Sequence, residues 1–156
     1  MTQNTLQSSY GRYMSAGVEG AFADMSGWDA DTGICESASI TFGKAVSRGS
    51  ADNGVTLGGA TFVGISVRDI TVMHDTADRY EEGDNVAVAV RGDIWVKAKT
   101  AVVNQKQAYY NSTTGEIGAS SISNAVAIAG AIFLDTADAD GFSRVRLSNA
   151  VGDITT

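Results

Sequence analysis

The chain has 156 residues, 44% hydrophobic and 19% charged, with a formal charge of −7 and an isoelectric point near 4.5. That length can bury the core of one domain without staples, and a single cysteine, Cys35, excludes an internal disulfide framework. The acidic balance argues against nucleic acid or an anionic membrane as partner, and the longest apolar run, residues 125–134, is too short to cross a bilayer as a helix.

The N-terminal residues lack a basic segment followed by an apolar run, so no secretory signal is expected and synthesis is placed in the cytoplasm. There are 18 glycines and no proline. Turns must therefore take their positive φ angles from Gly, Asn and Asp. Sheet edges need charge, a covering arm or a neighbouring subunit in place of proline.

Residues 1–35 read as an extended N-terminal arm, and residues 36–156 as a single β-domain. The arm carries Tyr10, Tyr13, Met14, Phe22, Met25 and Trp28 with neither helical nor strand periodicity, and its glycines interrupt any long helix. Two readings stand side by side. The segment packs on its own domain, or its aromatic and methionine side chains anchor in a partner's groove, as these residue types do at interfaces.

From Ala38 the period becomes two. Ala38, Ile40 and Phe42 share one face, then Val63, Ile65 and Val67, with a Gly/Ser/Asn/Asp-rich connection at 49–59 between them. Gly83 and Asp84 mark a turn before the run Val86-Ala-Val-Ala-Val90. Gly92 and Asp93 are expected to turn the chain again before Ile94-Trp-Val-Lys97. Asn104-Gln105-Lys106 reads as a hairpin turn between Ala101–Val103 and Ala108–Tyr110. In 125–134, Val126, Ile128, Ile132 and Leu134 fall on one face and alanines on the other. The alanine face is the thin side of a sandwich or a subunit contact. The last strand, 142–147, turns Val145 and Leu147 inward. Eight or more short strands imply an all-β fold, a compact sandwich or jelly-roll-like barrel.

Chemistry is sparse. His74 is the only histidine and stands beside Asp75, which leaves no His-based metal cluster and no supported triad. Cys35 has no C-x-x-C partner and reads as a buried thiol. Nucleophile-elbow, P-loop and dinucleotide motifs are absent from the sequence. Asp138, Asp140 and Gly141 match the middle of a calcium loop, but Leu147 stands where the bidentate acid belongs, so a solvated turn is expected. No catalytic residue, metal or cofactor is assigned.

Several fragments in order carry a resemblance: Tyr10-Gly-Arg-Tyr-Met14, Ala21-Phe-Ala-Asp24, Ile40-Thr-Phe-Gly-Lys-Ala-Val46 and Phe62-Val-Gly-Ile-Ser-Val67. They continue through Tyr80-Glu-Glu-Gly-Asp84, Arg91-Gly-Asp-Ile-Trp-Val96, Ala131-Ile-Phe133 and Gly141-Phe-Ser-Arg-Val-Arg-Leu147. Together they resemble the capsid cement (head decoration) proteins of tailed bacteriophages. The resemblance implies a non-enzymatic virion protein on the outer surface of the mature head, bridging neighbouring major capsid proteins as a homotrimer or homodimer. It implies no nucleic-acid or membrane partner. The alternative is a host- or glycan-binding module displayed on the virion, using Trp28, Arg91 to Asp93, Trp95, Tyr109 and Tyr110.

Overall fold

The alternating pattern folds into strands, and no helix forms among the residues described by the computed structural model, 17–25, 27–72 and 78–148. The strands are β1 (Asp29–Cys35), β2 (Ser39–Thr41), β3 (Ala45–Arg48), β4 (Gly54–Leu57), β5 (Phe62–Ser66) and β6 (Arg79–Glu81). They continue with β7 (Asn85–Lys97), β8 (Gln107–Asn111), β9 (Ile117–Gly118), β10 (Ala125–Phe133) and β11 (Phe142–Leu147). The fold is all-β, as the periodicity requires.

Strands β1, β4, β3, β5 and β7 bond in that order, and β1 also pairs with β7, so this set closes into a barrel. The long strand β7 then leaves the barrel. Its first half pairs with β5 through Ile65↔Ala89, and its second half with β11 from Leu147↔Gly92 to Phe142↔Lys97. A second sheet follows in the order β7-β11-β10-β8-β9. It curls until Ala98, just beyond β7, bridges to Ile117 of β9. The ribbon β2–β6 stands apart from both.

Two apolar clusters follow from this plan. Cys35, Val46, Val55, Val86 and Val88 of the barrel strands join Ile40, Phe42 and Tyr80 in one. Ala45, Ile65 and Ala89 join Ile94, Tyr110, Ile128, Phe133, Val145 and Leu147 in the other. The neighbours Ala45 and Val46, like Val88 and Ala89, point to opposite sides, so the barrel wall separates the clusters. Each buried Val, Ile, Leu or Phe side chain contributes about 1.5–3 kcal/mol. Buried hydroxyls are satisfied where they occur. Tyr80 donates to Val67 O at 2.6 Å and Tyr110 to Gly59 O at 2.9 Å. Burial pushes the Tyr80 phenol up to about 12, so it remains a donor. The Cys35 thiol is buried and donates to Ser37 O, and burial pushes its pKa up.

Four expectations are corrected. Gly92 and Asp93 do not form a turn, because β7 runs unbroken through Arg91-Gly92-Asp93 and Asp93 is buried. The Gly83–Asp84 connection does reverse the chain: Gly83 has φ +89, and the Asp84 amide donates to Glu81 O. Residues 29–35 are not arm but strand β1. Its outward positions are exposed and only Gly33 and Cys35 are buried, so it lacks an apolar stripe. Asn104–Lys106 turns the chain, with Gln105 at φ +66, yet its flanks are not partners: Val102 bridges to Ala137, and β8 pairs with β9 and β10. In β10 the faces exchange partway. Val126 and Ile128 turn inward first, then Ala131 and Phe133. Gly130, at φ +71, sits where the β8–β10 register shifts, and one added residue flips every later side chain.

One loop is held by a carboxylate. Glu36 accepts the amides of Ser50 and Ala51 and the Ser50 hydroxyl at 2.7–3.1 Å. These donors, led by the Ser50 amide, hold its pKa below the usual glutamate value. A depressed folded-state pKa stabilises the loop above the unfolded value of about 4.3, and the contribution is lost as pH falls through the lower one. Glu36→Gln should therefore lower hydrogen-exchange protection at Ser50 and Ala51 near neutral pH. The wild-type protein should lose the same protection only on acidification. Equal protection in the two proteins at neutral pH would refute the clamp.

Candidate interaction surface

The leader meets the body along β7. The Gly20 amide donates to Trp95 O (2.8 Å), the Trp95 amide to Ala21 O (2.9 Å) and the Ala23 amide to Asp93 O (2.8 Å). Phe22 thus faces Ile94, and Asp29 of β1 faces Arg91. Residues 23–28 have only Gly92 and Asp93 of β7 against them, so the surplus chain loops out of the ladder. At its surface lie Met25, 88% exposed, and Trp28, 44% exposed, large apolar groups that no core contact requires to be there.

This excursion rests on a fixed base. Phe22 packs against the larger core cluster, and its ring lies 4.8 Å from that of Trp28, tilted by 34°. Gly92 lies under Trp28: a Cβ there would be 2.8 Å from Trp28 Cβ, and its φ of +115° is one side chains rarely adopt. Gly17 lies as closely against the Trp95 ring.

Charged pairs frame the same face. Arg146 grips Asp93 through both carboxylate oxygens at 2.8 and 2.9 Å, although the carboxylate is 6% exposed and the guanidinium 55%. Arg144 holds Asp135 in the same two-point manner and lies 5.8 Å over the Trp95 ring. The Arg144 guanidinium beside Asp135 lowers that carboxyl's pKa, while Asp93 raises that of Arg146. Asp24 of the excursion adds its charge to both arginines. Arg91 and Asp29 make a looser pair at 3.7 Å. A cleft of about 370 Å³ opens among Gly27, Arg91, Gly92, Arg146 and Ser148.

The sequence-predicted residues divide clearly. Phe22, Met25 and Trp28 come together, and Arg91 is their neighbour. Tyr10, Tyr13 and Met14, like His74, lie outside the described residues. The constellation suggested for a glycan or receptor does not assemble: Asp93 is locked under Arg146, Tyr110 is fully buried and Trp95 is half-buried beneath Gly17. Asp138 and Asp140 form a turn closed by the Gly141 amide to Asp138 O, and among the described residues no acidic, His or Cys group converges on a metal position. Sequence reading missed the Arg144 and Arg146 pairs. Their signal was present in the outward arginines of Ser143-Arg-Val-Arg-Leu147, but the partner carboxylates lie on other elements. A rigid aromatic step among fixed ion pairs has no nucleophile–base geometry. It is equipped to bind a surface.

Comparison with known proteins fits that geometry. Residues 6–148 match the family described as structural cement protein (E217 gp24/Pam3 gp6). A chain in the capsid of Myoviridae phage XM1 has 17% sequence identity and a TM-score of 0.71, with 92% of this chain and 98% of that one covered. The head fiber gp8.5 N base of bacteriophage phi29 is more distant, at 11% identity and a TM-score of 0.45, covering 78% and 95%. No curated protein matches the sequence.

Proposed function

This chain belongs to the phage structural cement protein family and is a structural protein of the virion capsid; on that premise we propose that it clamps neighbouring major capsid proteins from the outer surface of the mature head, without enzymatic activity. The observation that carries this reading is the excursion 23–28, which presents Met25 and Trp28 from a base fixed by Phe22 and Gly92. Side chains held in place before binding lose little entropy on docking, so their apolar area converts efficiently into affinity. Many copies on one shell multiply modest contacts through avidity. A ligand that binds the mature shell and not its ruptured state stabilises the shell by linkage. The arm residues Tyr10, Tyr13 and Met14 are proposed to extend the same contact, and the protein to act as an oligomer.

The test uses heads stripped of the protein. They should rupture at a lower temperature than complete heads, and adding purified protein should restore both stoichiometric occupancy and the original rupture temperature. Stripped and complete heads that rupture together would remove the cementing role.

A further inference from the structure

Strand β10 has one edge that the second sheet does not use. Its even-numbered residues bond to β8 in the first half of the strand: Val126 faces Tyr110, and the Ser112 amide donates to Asn124 O. The peptide groups of Ala125, Ala127 and Ala129 therefore point away from β8. On that side β11 pairs with β10 only at Ile132 and Phe133, and Ser148 reaches Gly130 O through its hydroxyl. Among the described residues no strand pairs with the outer edge from Ala125 to Ala129. The side chains of Ala125, Ala127 and Ala129 are exposed as well, while Val126 is half-buried and Ile128 buried.

An open edge of this composition is a pairing template. Proteins that keep such an edge solvated protect it with lysine, proline or an inward charge, and residues 125–134 contain none of these. The segment is also self-complementary. Ala125-Val-Ala-Ile-Ala129 reads nearly the same in both directions about Ala127. Against a second, antiparallel copy, Ala127 faces Ala127, Ala125 faces Ala129 and Val126 faces Ile128. Directly opposed residues share a face, so the inward Val and Ile positions of one copy continue those of the other, and the alanines form a common outer face. Each copy carries −7, and this uncharged edge is a place where two copies meet with little local repulsion.

We propose that β10 pairs with β10 of a second copy of this chain across a two-fold axis at Ala127, joining two protomers into one continuous sheet. The contact is isologous, so it yields a closed pair and not a ring of three. It lies on a different strand from the Met25–Trp28 surface, and it can fail without affecting capsid binding.

The protein's own chemistry supplies a clean probe. Cys35 is its single cysteine and is buried. In Ala127→Cys, two introduced thiols would face each other in a hydrogen-bonded pair with Cα atoms about 5.5 Å apart, within disulfide range. Wild-type protein is expected to sediment as a dimer, and Ala127→Cys to form a disulfide-linked dimer under mild oxidation while Ala101→Cys, in an exposed loop, does not. Ala127→Lys sets like charges against each other at the axis and leaves the β8 bonds intact. It should give a monomer with an unfolding transition of wild-type shape and, with residues 17–28 unaltered, wild-type capsid binding. A trimeric or monomeric wild type, or no selective disulfide at 127, overturns the proposal. So does cross-linking that appears only when residues 149–156 are removed, which would assign the edge to the chain's own terminus. Loss of capsid binding in Ala127→Lys with the oligomeric state unchanged would assign it to the capsid partner, and overturns it equally.

Discussion

Gly92→Ala should destabilise the protein by about 2–4 kcal/mol, combining a side chain at a strained positive φ with overpacking against a neighbour. The backbone there has φ +115°, and the new methyl carbon would stand 2.8 Å from Trp28 Cβ and 3.1 Å from Trp28 Cα. Neither atom is the free end of a flexible chain, so relief requires moving the excursion or bending β7. Both matter, because β7 is shared by the barrel and the second sheet. The result should be visible twice. Chemical denaturation should show the lower midpoint, and capsid binding should fall further than the unfolded fraction explains, since the displaced element carries Met25 and Trp28. Gly83→Ala is the matched control. Its φ is +89°, but nothing lies within 4 Å of the added carbon, so only the backbone strain, about 1 kcal/mol, applies. Gly92→Ala with wild-type stability and wild-type binding would mean that the close approach of Trp28 to β7 is wrong.

How far such contacts are legible in the sequence depends on their range. The period-two faces were readable because they are local: Ile40 and Phe42, Val86 and Val88, and Val145 and Leu147 all turn inward as their spacing requires. The failures share one cause. Arg91-Gly92-Asp93 has the composition of a hairpin turn, but β11 and the leader pair along β7 on either side of it, and those partners hold it extended. Gly there answers the close approach of Trp28 and not a reversal of the chain. Likewise β1 looks like leader because six long-range registers with β7, and not its own side chains, make it a strand. Gly130 reads as one more small residue until its positive φ is seen to flip the face of β10. The surface that matters was half legible. Residue type singled out Phe22, Met25 and Trp28, since large apolar groups without periodicity have no local reason to be buried. The pairing of Arg146 with Asp93 was not, because those residues lie on different strands and only the β7–β11 register places them side by side.

Trp28→Ala should weaken binding to mature heads by about 2 kcal/mol per contact, roughly 30-fold, the scale of a tryptophan anchor at the centre of an interface. The side chain is 44% exposed in the isolated protein, so it retains area to bury, and its stacking on Phe22 fixes the direction from which a partner meets it. Met25 is more exposed but flexible and less supported, and Met25→Ala should cost less, about 1 kcal/mol. Phe22→Ala makes a poor binding probe, because that ring packs on the core and its removal opens a cavity beneath the whole excursion. Arg91, 54% exposed and only loosely paired with Asp29, should act through charge, so the loss in Arg91→Ala should shrink as salt is raised while that of Trp28→Ala persists. Sedimentation of each variant with stripped heads at two salt concentrations separates these contributions. Because one shell holds many copies, even a 30-fold loss per contact should show as early dissociation on dilution and a lower rupture temperature. If Trp28→Ala binds and protects heads like the wild type, the excursion is not the anchor, and the contact must be sought on another face of the body.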